Sequence, residues 1–173
     1  MVAIISGTNR KNSNSFEVAV IYKNLLKEKG IESEIISLEK LPEDFAFTAL
    51  YERSGSNPLF NDLTLSLFKA KKIVFIIPEY NGSFPGILKA FIDGFSYPSP
   101  LKNKKCALVG ISTGMSAGTI ALSHFTDILN YLGVHVLAKK IKIPDVSNVL
   151  YKEKNKEHYL NMLSRQVEEF LSF

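Results

Sequence analysis

At 173 residues, 46% hydrophobic and 22% charged, the sequence has the size and balance of one globular domain over residues 1–173, with apolar side chains enough for a sizeable core. No apolar run approaches the roughly 20 residues that a membrane-spanning helix needs, and no charged n-region precedes the first apolar run at Val2, so neither a membrane partner nor a signal peptide is expected. The net charge of +4 comes from dispersed lysines without a recognition helix, aromatic platform or zinc module, which argues against nucleic acid and leaves a mild attraction for anionic substrates.

Val2 to Ser6 is an apolar, β-branched run that reads as a first strand. A helix is expected from about Ser15 to Lys29, with Phe16, Val18, Ala19, Tyr22, Leu25 and Leu26 on its apolar face and Gly30 at its left-handed stop. Asn14 with Glu17 reads as a capping box with Asn14 in the cap position. Glu32 to Leu38 alternates polar and apolar residues, as a half-exposed edge strand does. Glu39 to Ser56 is too long for a simple connection and contains Phe45, Phe47 and Tyr51. Its expected role is a lid, a subunit contact or packing over the sheet edge.

Asn57-Pro58 is a cap followed by a first-turn proline, opening a helix through Leu59, Phe60, Leu63, Leu67 and Phe68. Ile73 to Ile77 is apolar without alternation, as expected of a central strand buried on both faces. A helix from about Gly86 to Phe95 and a strand from Cys106 to Ser112 follow. The next helix places Ile120, Ala121, Phe125, Ile128, Leu129 and Leu132 on one face and stops at Gly133. Val134 to Leu137 gives a fifth strand, resumed at Ile141 to Ile143, before a last helix near Asn155 to Leu171. Strands and helices in alternation predict an α/β fold: a five-stranded parallel sheet of order 2-1-3-4-5 with helices on both faces, the flavodoxin-like three-layer sandwich.

In that order the switch point lies between the first and third strands, and the loops leaving them are the most informative in the chain. The first runs Gly7-Thr8-Asn9-Arg10-Lys11-Asn12-Ser13-Asn14-Ser15 into a helix. Hydroxyls of Thr8, Ser13 and Ser15, the Arg10 guanidinium and a helix N-terminus suit a terminal monophosphate. The loop is neither a Walker motif nor a Gly-x-Gly-x-x-Gly fingerprint. The second loop, Pro78-Glu79-Tyr80-Asn81-Gly82-Ser83-Phe84-Pro85-Gly86, offers a planar, partly polar surface without an obvious nucleophile. Its backbone groups suit the pyrimidine edge of a flavin, with Tyr80 or Phe84 beside the ring. Ser112 and Gly114 stand at the matching rim position of the next strand. A phosphorylated cofactor with a flat ring is therefore expected, and flavin mononucleotide (FMN) is the natural candidate.

No catalytic side chain and no metal ligand set is expected. Cys106 reads as a small core residue, and a lone cysteine fits a reducing cytoplasm. His124, His135 and His158 lack metal-ligand spacing, and Glu79 and Asp93 fall at opposite ends of one helical pattern.

Gly7-Thr8-x-Arg10-x-x-Ser13-x-Ser15, then Pro78-Glu79-Tyr80-Asn81-x-Ser83-x-Pro85-Gly86-x-Leu88-Lys89-x-x-x-Asp93 and Ser112-x-Gly114, resembles the NADPH-dependent FMN reductase family, a flavodoxin-like group that includes quinone, azo-dye and chromate reductases. The resemblance implies phosphate contacts at Thr8, Arg10, Ser13, Asn14 and Ser15. It implies ring contacts at Pro78, Glu79, Tyr80, Asn81 and Gly82, and rim contacts at Ser112 and Gly114. Two departures stand out: Thr8 where the family usually has serine, and Ser116-Ala117-Gly118 in place of a glycine pair near the ring. The expected activity is hydride transfer from NADPH or NADH through FMN to a flavin, quinone or related small-molecule acceptor, in a ping-pong cycle. The resemblance also implies a homodimer or homotetramer. The alternatives are a flavodoxin-like electron carrier or flavin redox sensor, and a phosphate-binding regulatory module without flavin. The pI of about 9 weighs against a carrier, which is typically acidic.

Overall fold

The computed structural model describes residues 1–153 and 155–173. Strands β1 (Val2–Ser6), β2 (Ser33–Ser37), β3 (Lys72–Pro78) and β4 (Lys105–Ile111) are all parallel, and β2 lies at one edge. The fifth position is shared by two short strands, β5 (His135–Val136) and β6 (Ile141–Ile143). Both pair with β4, at Lys105–Cys106 and at Val109–Ile111. The order is β2-β1-β3-β4-β5, as alternation in the sequence predicted.

Successive side chains of a strand point to opposite faces, so the central strands feed two cores. Ala3, Ile5, Phe75, Ile77 and Leu108 face one layer, while Ile4, Val74, Ile76, Ala107 and Val109 face the other. The second layer holds α1 (Asn14–Glu28), α7 (Val146–Tyr151) and α8 (Lys156–Ser172), through Val18, Tyr22, Leu26, Val146, Leu163, Val167 and Phe170. The first layer is built on α2 (Phe45–Thr48), α3 (Pro58–Leu63), α4 (Leu65–Lys69), α5 (Gly86–Asp93) and α6 (Thr119–Tyr131). Phe60 is central there, with ring centroids 4.9 Å from Phe45, 5.6 Å from Phe91 and 4.9 Å from Phe95.

Several local expectations need correction. Ser13, not Asn14, caps α1: its Oγ accepts from the Phe16 amide at 3.3 Å, and Asn14 is the first helical residue. The helix opened by Asn57 divides at Thr64, whose hydroxyl turns back to the Phe60 carbonyl at 2.8 Å. Back-bonding of that kind competes with the helical ladder. Ile120 is exposed rather than part of the apolar face.

Residues 39–56 pack on the first layer. Leu41, Phe45 and Ala49 are buried there, while Phe47 and Tyr51 point outward at 92% and 85% exposure. A Cβ on Gly94 would fall 2.6 Å from the Phe45 ring, so α5 ends in glycine where the segment docks.

The gap between β5 and β6 leaves the Leu108 carbonyl without a strand partner, and buried carbonyls must be satisfied. Gln166 of α8 fills it, its Nε2 donating to Leu108 O at 3.1 Å and Lys139 O at 2.9 Å. Some of the dispersed lysines have a defined structural role. Lys72 donates to the Phe170 and Leu171 carbonyls, and Lys105 to that of Phe173, capping the last turn of α8. Burial, then the charge of Lys105, lowers the Lys72 ammonium from its usual range. Among the described residues no helix is long and apolar enough to cross a membrane.

Candidate functional site

The carboxyl ends of β1, β3 and β4 are held level by ladder bonds that continue into the loops. Gly7 N donates to Ile76 O at 2.9 Å, Glu79 N to Ile111 O at 2.9 Å and Ser112 N to Ile143 O at 3.1 Å. Gly7 is needed for this approach, because a Cβ there would meet the Ile76 carbonyl oxygen at 2.8 Å. Above the three ends opens a cavity of about 490 Å³. Nine of the twelve residues singled out from the sequence line it: Thr8, Arg10, Ser13, Asn14, Ser15, Pro78, Glu79, Tyr80 and Ser112.

The first loop turns its hydroxyls inward. Thr8, Ser13 and Ser15 are buried, beside a buried Ser6. Ser6 Oγ donates to Ser15 Oγ at 3.2 Å, and the Ser13 and Ser15 hydroxyls are paired at 3.0 Å. Thr8 Oγ1 and the Tyr80 hydroxyl are paired at 2.9 Å, across the two loops. Each hydroxyl brings one hydrogen, so whichever partner donates, one hydrogen of each pair stays available. At the start of α1 the Phe16 and Glu17 amides turn back to Ser13, whereas the Asn14 and Ser15 amides precede the first intrahelical bond and have no carbonyl partner on their amino-terminal side within the helix. The spare hydroxyl hydrogens and the leading amides of α1 are donors that an anion would take. Arg10 and Lys11 stand at the exposed lip with their positive charge.

The second loop contributes a wall and a tie. Tyr80 and Ser83 exchange backbone bonds, Tyr80 N to Ser83 O at 2.7 Å and Ser83 N to Tyr80 O at 3.0 Å. Between them Asn81 and Gly82 have φ of 51° and 76°, the double left-handed geometry of a two-residue hairpin turn. Asn81 and Gly82 therefore form the hairpin tip and do not line the cavity. Glu79 reaches the third loop, where Oε2 accepts from the Gly118 amide at 2.9 Å and from the Ser116 hydroxyl. Ser112 Oγ donates to Gly114 O at 2.7 Å and accepts from Ala117 N at 3.0 Å. Gly114 is likewise outside the lining; its carbonyl also takes the Asp145 amide at 3.0 Å.

The sequence reading missed one wall. Val146, Ser147 and Tyr151 of α7 line the cavity, as do Lys11, Asn12, Thr113 and Ile111. The six-residue helix left no usable period, and only the Asp145-x-x-Asn148 polar pair hinted at a turn before it. Cys106 is buried in the core, and burial raises its thiol well above the usual range. Asp93 pairs with Lys89 at 2.7 Å on α5, away from Glu79.

The donors fit a phosphorylated cofactor: hydroxyls with hydrogens to spare, the two leading amides of α1 and a cationic lip belong to one loop of the cavity. Pro78, Tyr80 and Ser112 line the same cavity from the other two loops.

Comparison with known proteins agrees with this geometry. The chain matches the model of the NADPH-dependent FMN reductase family over residues 1–146. It is 30% identical over 142 residues to an NAD(P)H-dependent FMN reductase of Pseudomonas aeruginosa, covering 78% of this chain and 72% of that one. It is 27% identical over 136 residues to a 2-hydroxy-1,4-benzoquinone reductase of a Burkholderia species, covering 69% and 73%. In fold it is similar to the apo crystal structure of an NADH:FMN oxidoreductase, with a TM-score of 0.78 at 21% identity over 99% of this chain and 89% of that one. The chain belongs to the NADPH-dependent FMN reductase family and is an NAD(P)H-dependent FMN oxidoreductase.

Proposed function

We propose that the cavity above β1, β3 and β4 holds FMN with its phosphate on Thr8, Arg10, Ser13 and Ser15 and its ring beside Pro78, Glu79, Tyr80 and Ser112. Bound there, FMN supplies the redox chemistry, taking two electrons from NAD(P)H and passing them to a free flavin, a quinone or a related small acceptor. The residues of the chain bind and orient. The hydroxyl cradle and Arg10 hold the anionic end, and Glu79 fixes the third loop against the second. The Tyr80 hairpin bounds the ring end and leaves one side open for the nicotinamide and then the acceptor. The observation that carries this reading is the excess of buried hydroxyl hydrogens facing a cavity of about 490 Å³ at the switch point. A homodimer or homotetramer belongs to the same reading, supported by the exposed Phe47, Tyr97, Met115 and Tyr131. A single buried thiol suits a reducing cytoplasm.

The test is the anaerobic visible spectrum of the FMN-loaded protein during NADPH addition. Rapid bleaching of the flavin bands is expected; bound flavin that stays oxidised would point to a carrier or sensor. For the phosphate end, Arg10→Ala should weaken FMN roughly tenfold, the size of one charge-assisted hydrogen bond, and leave thermal unfolding of the flavin-free protein unchanged. Equal affinity in a fluorescence titration would remove Arg10 from the site.

A further inference from the structure

Helix α7 begins where the family match ends: the match stops at residue 146, and α7 spans Val146–Tyr151. It is nevertheless fastened to the cavity on three sides. Below, Val146 and Val149 are buried in the second core. On the third-loop side, Val146 N donates to Ser112 O at 2.9 Å and Asp145 N to Gly114 O at 3.0 Å. Asp145 sits in the left-handed region at φ 49°, where the Asn148 side-chain amide donates to both its carboxylate oxygens at 2.7 and 2.9 Å. On the first-loop side, Asn14 Nδ2 donates to Ser147 Oγ at 3.2 Å, and the Tyr151 hydroxyl donates to Asn14 Oδ1 at 3.2 Å.

Counting donors separates the roles of these three residues. The Asn14 side chain has its carbonyl and one amide hydrogen engaged by α7, so it bridges the first loop to the helix. The Tyr151 hydrogen is spent on Asn14. Ser147 Oγ only accepts in this network, and its own hydrogen stays free on a side chain that lines the same cavity as Ser13 and Ser15 and touches Asn14 between them in sequence.

We propose that Ser147 is a further phosphate-binding residue, donating its hydroxyl hydrogen to the phosphate of FMN, and that Asn14 and Tyr151 are positioning residues that hold it there. The inference rests on the assignment of the cavity to FMN. In this arrangement a segment beyond the family match closes the anionic end of the cavity and helps to set how tightly the cofactor is retained.

The experiment compares FMN with riboflavin, which lacks the phosphate, by fluorescence quenching on the flavin-free protein. The variants are Ser147→Ala, Ser147→Thr and Tyr151→Phe, each checked for unchanged thermal unfolding. Ser147→Ala should weaken FMN about tenfold or more, the scale of one lost hydrogen bond to a charged group, and leave riboflavin unchanged. Ser147→Thr should restore most of the affinity. Tyr151→Phe, which keeps the ring and loses only the hydroxyl, should weaken FMN severalfold through a faster off-rate, again without touching riboflavin. Unchanged FMN affinity in Ser147→Ala overturns the assignment, and unchanged affinity in Tyr151→Phe alone removes the positioning role of Tyr151. An equal loss for the two flavins in Ser147→Ala also overturns the assignment, because it would place Ser147 away from the phosphate. If the unaltered protein binds neither flavin, the FMN reading itself fails, and the proposal falls with it.

Discussion

Glu79→Ala should lower FMN affinity by about tenfold or more while leaving the melting temperature of the flavin-free protein within a few degrees. The carboxylate links β3 to the loop between β4 and α6, accepting from the Gly118 amide and the Ser116 hydroxyl. Hydrogen bonds to a charged group are worth about 1.5–3 kcal/mol when shielded; these are partly exposed, so about 2 kcal/mol for the pair is the reasonable scale. Little of it comes from the global fold, because the 112–118 loop has a second anchor in Ser112. The loss therefore appears as freedom of the cavity wall, which cofactor binding must then suppress. Among the described residues Glu79 is also the single carboxylate lining a cavity proposed for a dianion, and removing its charge pulls the other way. Glu79→Gln separates the two effects. Its amide oxygen still accepts from Gly118, so it should bind FMN at least as tightly as the parent. An alanine variant with parental affinity would show that the tie is irrelevant to the site.

Phe60→Ala is expected to produce the largest loss of stability of any single change in the first layer. Phe60 is fully buried and makes ring contacts with Phe45, Phe91 and Phe95, joining three separate elements. Truncating a buried phenylalanine costs about 3–5 kcal/mol through lost transfer energy and the cavity left behind. For a chain of this size each kcal/mol moves the midpoint by about 2–4 °C, so thermal unfolding followed by circular dichroism should fall by roughly 10 °C. Phe45 loses its principal ring partner in the same variant, loosening residues 39–56 from the layer. Trypsin should then cut the native-state protein after Lys40 and Arg53, which flank the docked turns. A shift under 2 °C with no new cleavage would mean that the layer repacks around the gap.

The legible parts of this protein share a physical cause: they are set by neighbours close in sequence. Strand runs such as Ile73 to Ile77 announce double-sided burial by lacking alternation, and Asn57-Pro58 announces a helix start by local backbone chemistry. The same holds for the two rim loops, whose hydroxyl, glycine and proline content follows directly on strands. Ser13 and Asn14 are both competent caps in the sequence, and it is the extended backbone at Ser13 and its bond from the Phe16 amide that make Ser13 the cap. Asn81 and Gly82, ring contacts by the resemblance, also suit a turn, since a glycine beside a polar residue fits either a close approach or a reversal of the chain. The paired backbone bonds of Tyr80 and Ser83 show the turn.

Hydrophobic period and turn chemistry act within a few residues, so the α/β class, the sheet order and two of the loops that meet at its rim are legible along the chain. The tertiary structure alone decided which side chains finish the site. Glu79 found its partners 37 and 39 residues away, Thr8 met Tyr80 across 72, and Ser147 came to Asn14 across 133. Such contacts depend on how layers pack over the sheet, and no local pattern encodes them.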